Sequence, residues 1–201
     1  MGDYKYHSAL KIGLDVLEDV EPLAKARHGE NVAVQNDIIK NGLPIEMSAC
    51  DIIYGECPWP QGFKVFDERA GVLPRGYKLF QEAVARMVHS EQRPVYLILG
   101  QLLLNALPQP KGVEEIKLNK GKVMLAWWND DYQGPLTTNV EVTHHLGGRF
   151  SRIGDFCCGY GEPLFSFLDG GGHSFVGADH NGKCIRVLGE RMKERFGEDI
   201  S

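Results

Sequence analysis

Apolar residues at Leu10, Ile12, Leu14, Leu17 and Val20 fall near helical spacing over 8–20, with Ser8 placed to cap the start and Pro22 to end the helix. The stretch "ENVAVQND" (30–37) then reads as a short strand ending in polar residues, and "CDIIYGE" (50–56) as another ending at an acid. A second amphipathic helix is predicted over 77–89, where Leu79, Phe80, Ala83, Val84 and Met87 share one side. "PVYLIL" (94–99) and "KVMLAWW" (122–128) are strands, separated by an apolar stretch at 102–107 that stops at Pro108. "RIGDFCCGYG" (152–161) is a strand followed by a glycine turn, "HSFVGAD" (173–179) is a further strand, and 184–196 is a closing helix. Strands alternating with helices predict an α/β fold: a mostly parallel sheet with helices on both faces. The 201 residues suit one domain over 1–201, with no internal repeat.

Three of these strands, "VAVQND", "IIYGE" and "FVGAD", end in an acid. Ligands in open α/β sheets bind at the carboxyl ends of strands, so Asp37, Glu56 and Asp179 are expected along one rim; each could equally cap a turn or helix. Gly159 and Gly161 follow a strand directly, where small residues let backbone N–H groups and a helix N-terminus approach a ligand. Leu164 occupies the place of the third glycine of a GxGxxG pattern, which disfavours a nicotinamide dinucleotide. Asp179, about 20 residues further on, is placed to accept hydrogen bonds from a ribose.

Composition narrows the partners. No apolar run approaches the roughly 20 residues of a membrane span, the N-terminus lacks a secretory pattern, and Met-Gly without Ser or Thr at position six is a poor myristoylation site. The five cysteines are an odd set containing the adjacent pair Cys157 and Cys158, which suits reduced thiols in a cytoplasm. His173 and His180 lie near Cys184, yet no CxxC or HxxxH spacing supports zinc, and no metal is expected. A net charge of −5 argues against a large nucleic-acid footprint, so such a substrate must meet a local basic patch or a partner.

The segment "IGDFCCGYGEPLFSFLDGGGHSFVGAD" resembles the adenosylmethionine-binding segment of amino-group DNA methyltransferases, a pattern near D-P-F-C-G-S-G-T followed by a helix and a strand ending V-G-I-D. Asp155, Cys158, Gly159 and Gly161 fall on matching places, while Phe156, Cys157, Tyr160 and Glu162 depart from it. "DIIYGECPW" likewise resembles the family's "DxIYADPPW" form. The resemblance implies a Rossmann-like adenosylmethionine-dependent methyltransferase fold in circularly permuted order, since the tetrad precedes the cofactor turn. It is similar to the small, phage-encoded members, with Asp37 as the acid that meets the cofactor adenine.

The chemistry fits the residue types. An exocyclic amine holds its lone pair in the ring, so transfer requires two acceptors for its N–H groups and an aromatic face for the flipped base. The resemblance assigns these roles to Glu56 as side-chain acceptor, the Cys57 carbonyl as second acceptor, Pro58 as turn stiffener and Trp59 as stacking plate. Glu56 is one methylene longer than the family's usual residue, and Cys57 replaces its first proline. Segments 60–76 and 129–150 are left as free loops with no separate target-recognition domain; Phe63, Lys64, Phe66, Arg69 and Arg75 in the first combine aromatic and basic character suited to bases and phosphates. The second contains "TTNVEVTHHLGG", read as a short helix before the cofactor strand, with Arg149 and Arg152 adding a basic edge. The implied activity is methylation of adenine N6 in DNA, with cytosine N4 or RNA as other substrates. The competing reading is a binding module or partner subunit that no longer transfers methyl groups; a second copy or another protein could supply recognition.

Overall fold

Alternation along the central strands decides the two faces of the sheet. The computed structural model describes residues 23–118 and 121–197, so the helix expected over 8–20 and its Pro22 stop lie outside the described residues. In β2 (Asn31–Gln35), β3 (Ile52–Glu56) and β4 (Val95–Leu99), Val32, Val34, Ile53, Val95, Leu97 and Leu99 point to one core, while Ala33, Ile52, Tyr54, Tyr96 and Ile98 point to the other. Every residue of β4 is buried, which explains its unbroken apolar sequence: a strand covered on both faces has no polar side to present.

The first core is covered by the short helix α1 (Ile38–Asn41), a 3-10 turn at Ile45–Ala49, α2 (Pro60–Arg69), α3 (Tyr77–Ser90) and α4 (Gln101–Leu104), through Ile38, Met47, Phe63, Phe80, Val84 and Leu103. The second lies under α5 (Asn139–Gly147), α6 (Glu162–Asp169) and α7 (Gly182–Phe196), through Val142, Leu146, Leu164, Phe167, Ile185 and Leu188. Among the described residues no helix is long and apolar enough to cross a membrane.

The sheet has eight strands in the order β1-β2-β8-β7-β3-β4-β6-β5, where β1 is Lys25–His28, β5 Gly112–Leu118, β6 Gly121–Trp128, β7 Arg152–Asp155 and β8 Ser174–Asp179. It is mixed, which corrects the expectation of a mostly parallel sheet. The pairs β2–β8, β8–β7, β7–β3 and β3–β4 are parallel, whereas β1–β2, β4–β6 and β6–β5 are antiparallel. For the pairs β1–β2 and β6–β5 the cause is connection length. Residues 29–30 link β1 to β2, with Gly29 at φ +55°, and a link that short can only turn back, because a parallel crossover needs a dozen or more residues. The same constraint holds where β5 runs into β6.

Residues 60–69, expected as loop, form α2 instead. Pro60 sits in its first turn, where the missing N–H costs nothing, and Phe63 and Asp67 are its buried residues.

Helices α5 and α6 approach at backbone contact. A Cβ on Gly147 would stand 2.0 Å from the Phe167 carbonyl oxygen, and one on Gly170 1.9 Å from that of His144. Because both obstacles are backbone, the helices must part to admit a methyl group. Gly147→Ala is therefore expected to lower stability by about 2 kcal/mol, read as a fall in the denaturant midpoint at constant slope; an unchanged midpoint would contradict this packing.

Candidate functional site

Parallel strands β8, β7 and β3 are neighbours, so their carboxyl ends share one edge of the sheet. After β7 the chain makes a tight turn through Gly159 at φ +50° and Gly161 at φ +86°, the latter capping α6 in the left-handed region. A Cβ on Gly161 would stand 2.5 Å from Leu188 Cδ1, a side-chain end that can shift, so it is the left-handed φ that calls for glycine there. The turn is tied to β8: Cys158 N–H donates to the Ala178 carbonyl at 3.0 Å, and Gly159 N–H donates to Asp179 Oδ2 at 3.0 Å. Asp179 Oδ1 accepts from Asn181 N–H at 2.9 Å, and Asn181 caps α7.

The segment after β3 is equally anchored. Cys57 N–H donates to the Ile98 carbonyl at 2.8 Å, and Tyr77 Oη donates to the Pro58 carbonyl at 3.0 Å. The Cys57 carbonyl accepts no hydrogen bond from the described residues. Trp59 is 42% exposed and lies against Gly100, where an added Cβ would be 2.6 Å from Trp59 Cζ3; glycine provides the flat seat for the indole. Glu56 Oε1 accepts from Tyr54 Oη at 3.2 Å and from Asn139 Nδ2, the first residue of α5. Burial raises the Glu56 pKa above the ordinary carboxylate value, and the Asn139 and Tyr54 hydrogen bonds offset this only in part.

These two turns face each other across a cleft of about 730 Å³, mouth included, lined by Glu56, Pro58, Phe66, Arg69, Gly159, Tyr160 and Asp179 among others. Asp155, at the end of β7, is fully buried, and among the described residues its Oδ2 has no hydrogen-bond partner while Oδ1 accepts from Cys157 N–H at 3.0 Å. Burial, reinforced by the charges of Glu56 and Asp179, holds the Asp155 pKa well above the usual range. Burial likewise pushes the thiols of Cys57, Cys157 and Cys158 up, which keeps them protonated and poor as nucleophiles. Among the described residues no group of three or more His, Cys, Asp or Glu is arranged to hold a metal ion.

A second cleft adjoins the first through Asp179, His180 and Cys157 and runs to Asp37, Ile38 and Arg75. Asp37 caps α1 by accepting from Ile39 N–H at 3.0 Å and pairs with Arg75 Nη1 at 2.7 Å. Arg75 also binds Asp67, which is fully buried, through Nη2 at 2.7 Å and backbone N–H at 2.8 Å. His180 touches the same cluster: Nε2 lies 3.1 Å from the Phe66 carbonyl and Nδ1 3.6 Å from Asp179 Oδ1. Burial alone would lower its pKa, but Asp179, the Phe66 carbonyl and Asp67 outweigh it and the net shift is upward.

The aromatic and basic residues of 60–76 thus separate. Phe63 is buried, edge-on to Tyr77 at 5.4 Å, and Arg75 is enclosed between two carboxylates. Lys64 is exposed, 3.7 Å from Glu68. Phe66 is 40% exposed on the cleft wall, and Arg69 lines the same wall without an ion pair among the described residues. Arg75→Ala is expected to cost about 3 kcal/mol of stability by leaving the buried Asp67 charge unpaired. Arg75 holds the Asp67 pKa below its ordinary value despite burial, so this contribution is present at neutral pH and lost as pH falls below the carboxylate range. Arg69→Ala should leave the melting temperature unchanged, which a parallel melt of both variants checks.

Asn139, Tyr54, His180 and Tyr160 join the site although no signal in the sequence singles them out for it. The Thr-Thr-Asn run does signal a helix start at Thr138, but nothing in it points across to Glu56.

No protein-family model matches the sequence, and no curated protein matches it. Among solved structures, M1.HpyAVI is similar at 10% identity and a TM-score of 0.47, over 71% of this chain and 87% of that one. A putative DNA modification methylase from Thermus thermophilus, TTHA0409, is similar at 9% identity and a TM-score of 0.47, over 74% of this chain and 88% of that one. At these values the likeness says nothing about which residues act.

Proposed function

We propose that the protein is an adenosylmethionine-dependent methyltransferase acting on an exocyclic amine of a nucleobase, N6 of adenine in DNA. The observation that carries this reading is the meeting of two motifs distant in sequence: Glu56 and Pro58 of the first turn and Gly159 and Tyr160 of the second line one cleft. Their strands are sheet neighbours although β3 comes early in the chain and β7 late, which supports the circularly permuted order of a Rossmann-like methyltransferase fold.

The residues present fit this cofactor, whose sulfonium and ammonium groups are cationic. Asp155 leaves one buried oxygen unpartnered among the described residues, with Asp179 nearby, and this pair of carboxyl groups favours positive charge. Asp179 would accept ribose hydroxyls, Gly159 and Gly161 would admit close backbone approach, and the cleft beside Asp37 and His180 would take the adenine. Adenosylmethionine, when bound, supplies an electrophilic methyl group. The protein's own part is to hold the amine: Glu56 accepts one N–H, the Cys57 carbonyl accepts the other, and Trp59 stacks on the base. Phe66 and Arg69 on the cleft wall, with exposed Lys64 on the same helix, are the proposed contacts to flanking nucleotides.

Calorimetry tests the cofactor half of the reading. Heat of binding with adenosylmethionine and with its demethylated product is expected; binding of a nicotinamide cofactor instead would overturn it.

A further inference from the structure

The Glu56 carboxylate is held by one oxygen only. Oε1 accepts from both Tyr54 Oη and Asn139 Nδ2, whereas no described residue donates to Oε2. Each donor has little else to do. Tyr54 is fully buried, and its hydroxyl has no other acceptor among the described residues. Asn139 is not needed to cap α5, since Thr138 does that by accepting Glu141 N–H at 3.2 Å, and among the described residues its side chain bonds only Glu56. An amide nitrogen can only donate, so the oxygen it faces must be an acceptor, which the ionised carboxylate satisfies.

We propose that Asn139, with Tyr54, is the positioning residue for the amine acceptor: together they saturate Oε1, fix the Glu56 rotamer and leave Oε2 to receive the substrate N–H. This rests on the reading of Glu56 as that acceptor. It also accounts for the longer acid at this position. An aspartate would end one methylene short, about 1.5 Å, and would lose its reach to α5. The tie crosses from the strand that carries the acceptor to the helix on the second face of the sheet, so a change in where α5 begins moves the reacting geometry.

The test compares Asn139→Asp, Asn139→Ala and Tyr54→Phe with the wild type. Asparagine to aspartate keeps size and suits a helix start, so it preserves a structural role while removing the donor. Two quantities are read: the titration of the carbon-13-labelled Glu56 carboxyl by NMR, and the pH profile of kcat. In Asn139→Asp the Glu56 midpoint is expected to rise by about one pH unit or more, because an ion-stabilising donor has become a like charge. The acid limb of kcat should move with it, kcat at its plateau should fall roughly tenfold or more, and adenosylmethionine affinity should not change. Asn139→Ala and Tyr54→Phe should shift the midpoint in the same direction by less. A Glu56 titration and acid limb unmoved in the folded Asn139 variants would overturn the proposal. The carboxyl titration needs no turnover. An inert wild type whose Glu56 still shifts in the variants would remove the methyl-transfer reading and uphold the tie. An active enzyme with an unmoved titration would remove the tie and leave the reading intact.

Discussion

Glu56→Ala is expected to abolish methyl transfer while leaving adenosylmethionine affinity within about 1 kcal/mol of wild type, because the lost group is needed only when the amine gives up its planarity. Removing one donor or acceptor aimed at developing charge costs on the order of 10²–10³ in rate, and here the backbone carbonyl of Cys57 is left as the sole acceptor. Glu56→Asp is the sharper comparison. The carboxyl would withdraw from Asn139, so activity should fall steeply even though the charge is kept. An aspartate variant faster than wild type would mean that the longer acid is a decayed site. The pH dependence has a defined sign. Glu56 must be ionised to accept the N–H, and burial raises its pKa, so activity should be lost on acidification at a pH above that of an ordinary carboxylate. The Ala variant, if any residual rate is measurable, should lack this limb.

Asp155→Asn is expected to stabilise the ligand-free protein and weaken adenosylmethionine binding. A fully buried carboxylate with one oxygen unpartnered among the described residues, near Glu56 and Asp179, is costly to ionise, and its folded pKa stands well above the unfolded value. A carboxyl shifted upward binds more protons folded than unfolded. Its stabilising contribution is therefore complete below the unfolded pKa and declines as pH rises through the folded one. Asparagine removes that decline, so the melting temperature of the variant should exceed wild type increasingly toward alkaline pH. A cationic ligand acts in the opposite sense, favouring the ionised form. Wild-type affinity should tighten as pH rises and binding should release protons, seen as a heat that depends on the buffer. In Asp155→Asn the affinity should drop by roughly 1.5–3 kcal/mol, the range for losing a charged partner, and its dependence on buffer should disappear. Equal affinity and equal buffer dependence in the two proteins would take Asp155 out of the site.

The central sheet is legible in the sequence because burial on both faces leaves a plain mark. "PVYLIL" and "CDIIYGE" correspond to β4 and β3 with ends shifted by a residue or two, and the helix over 77–89 to α3. The edges are not legible in the same way. β1 has alternating half-exposure and β5 carries Glu114 and Glu115, so neither presents an apolar run, and their antiparallel pairing follows from short links rather than from strand composition. Helix α2 is hidden because Pro60 and Gly62 break the helical pattern at its start and exposed Phe66 blurs its apolar side. At the site, the strand-end acids can be placed on one edge from sequence, but their partners cannot. Asp37 meets Arg75, and Glu56 meets Asn139, a residue 83 positions away, through contacts that only the packed fold brings about.

The most direct test is to incubate the protein with methyl-labelled adenosylmethionine and mixed DNA and RNA, digest to nucleosides and identify the labelled product. Label is expected on N6-methyladenosine in its deoxy form and is expected to be absent in Glu56→Ala. Label on no nucleoside, from a protein that binds adenosylmethionine, would contradict the proposed activity.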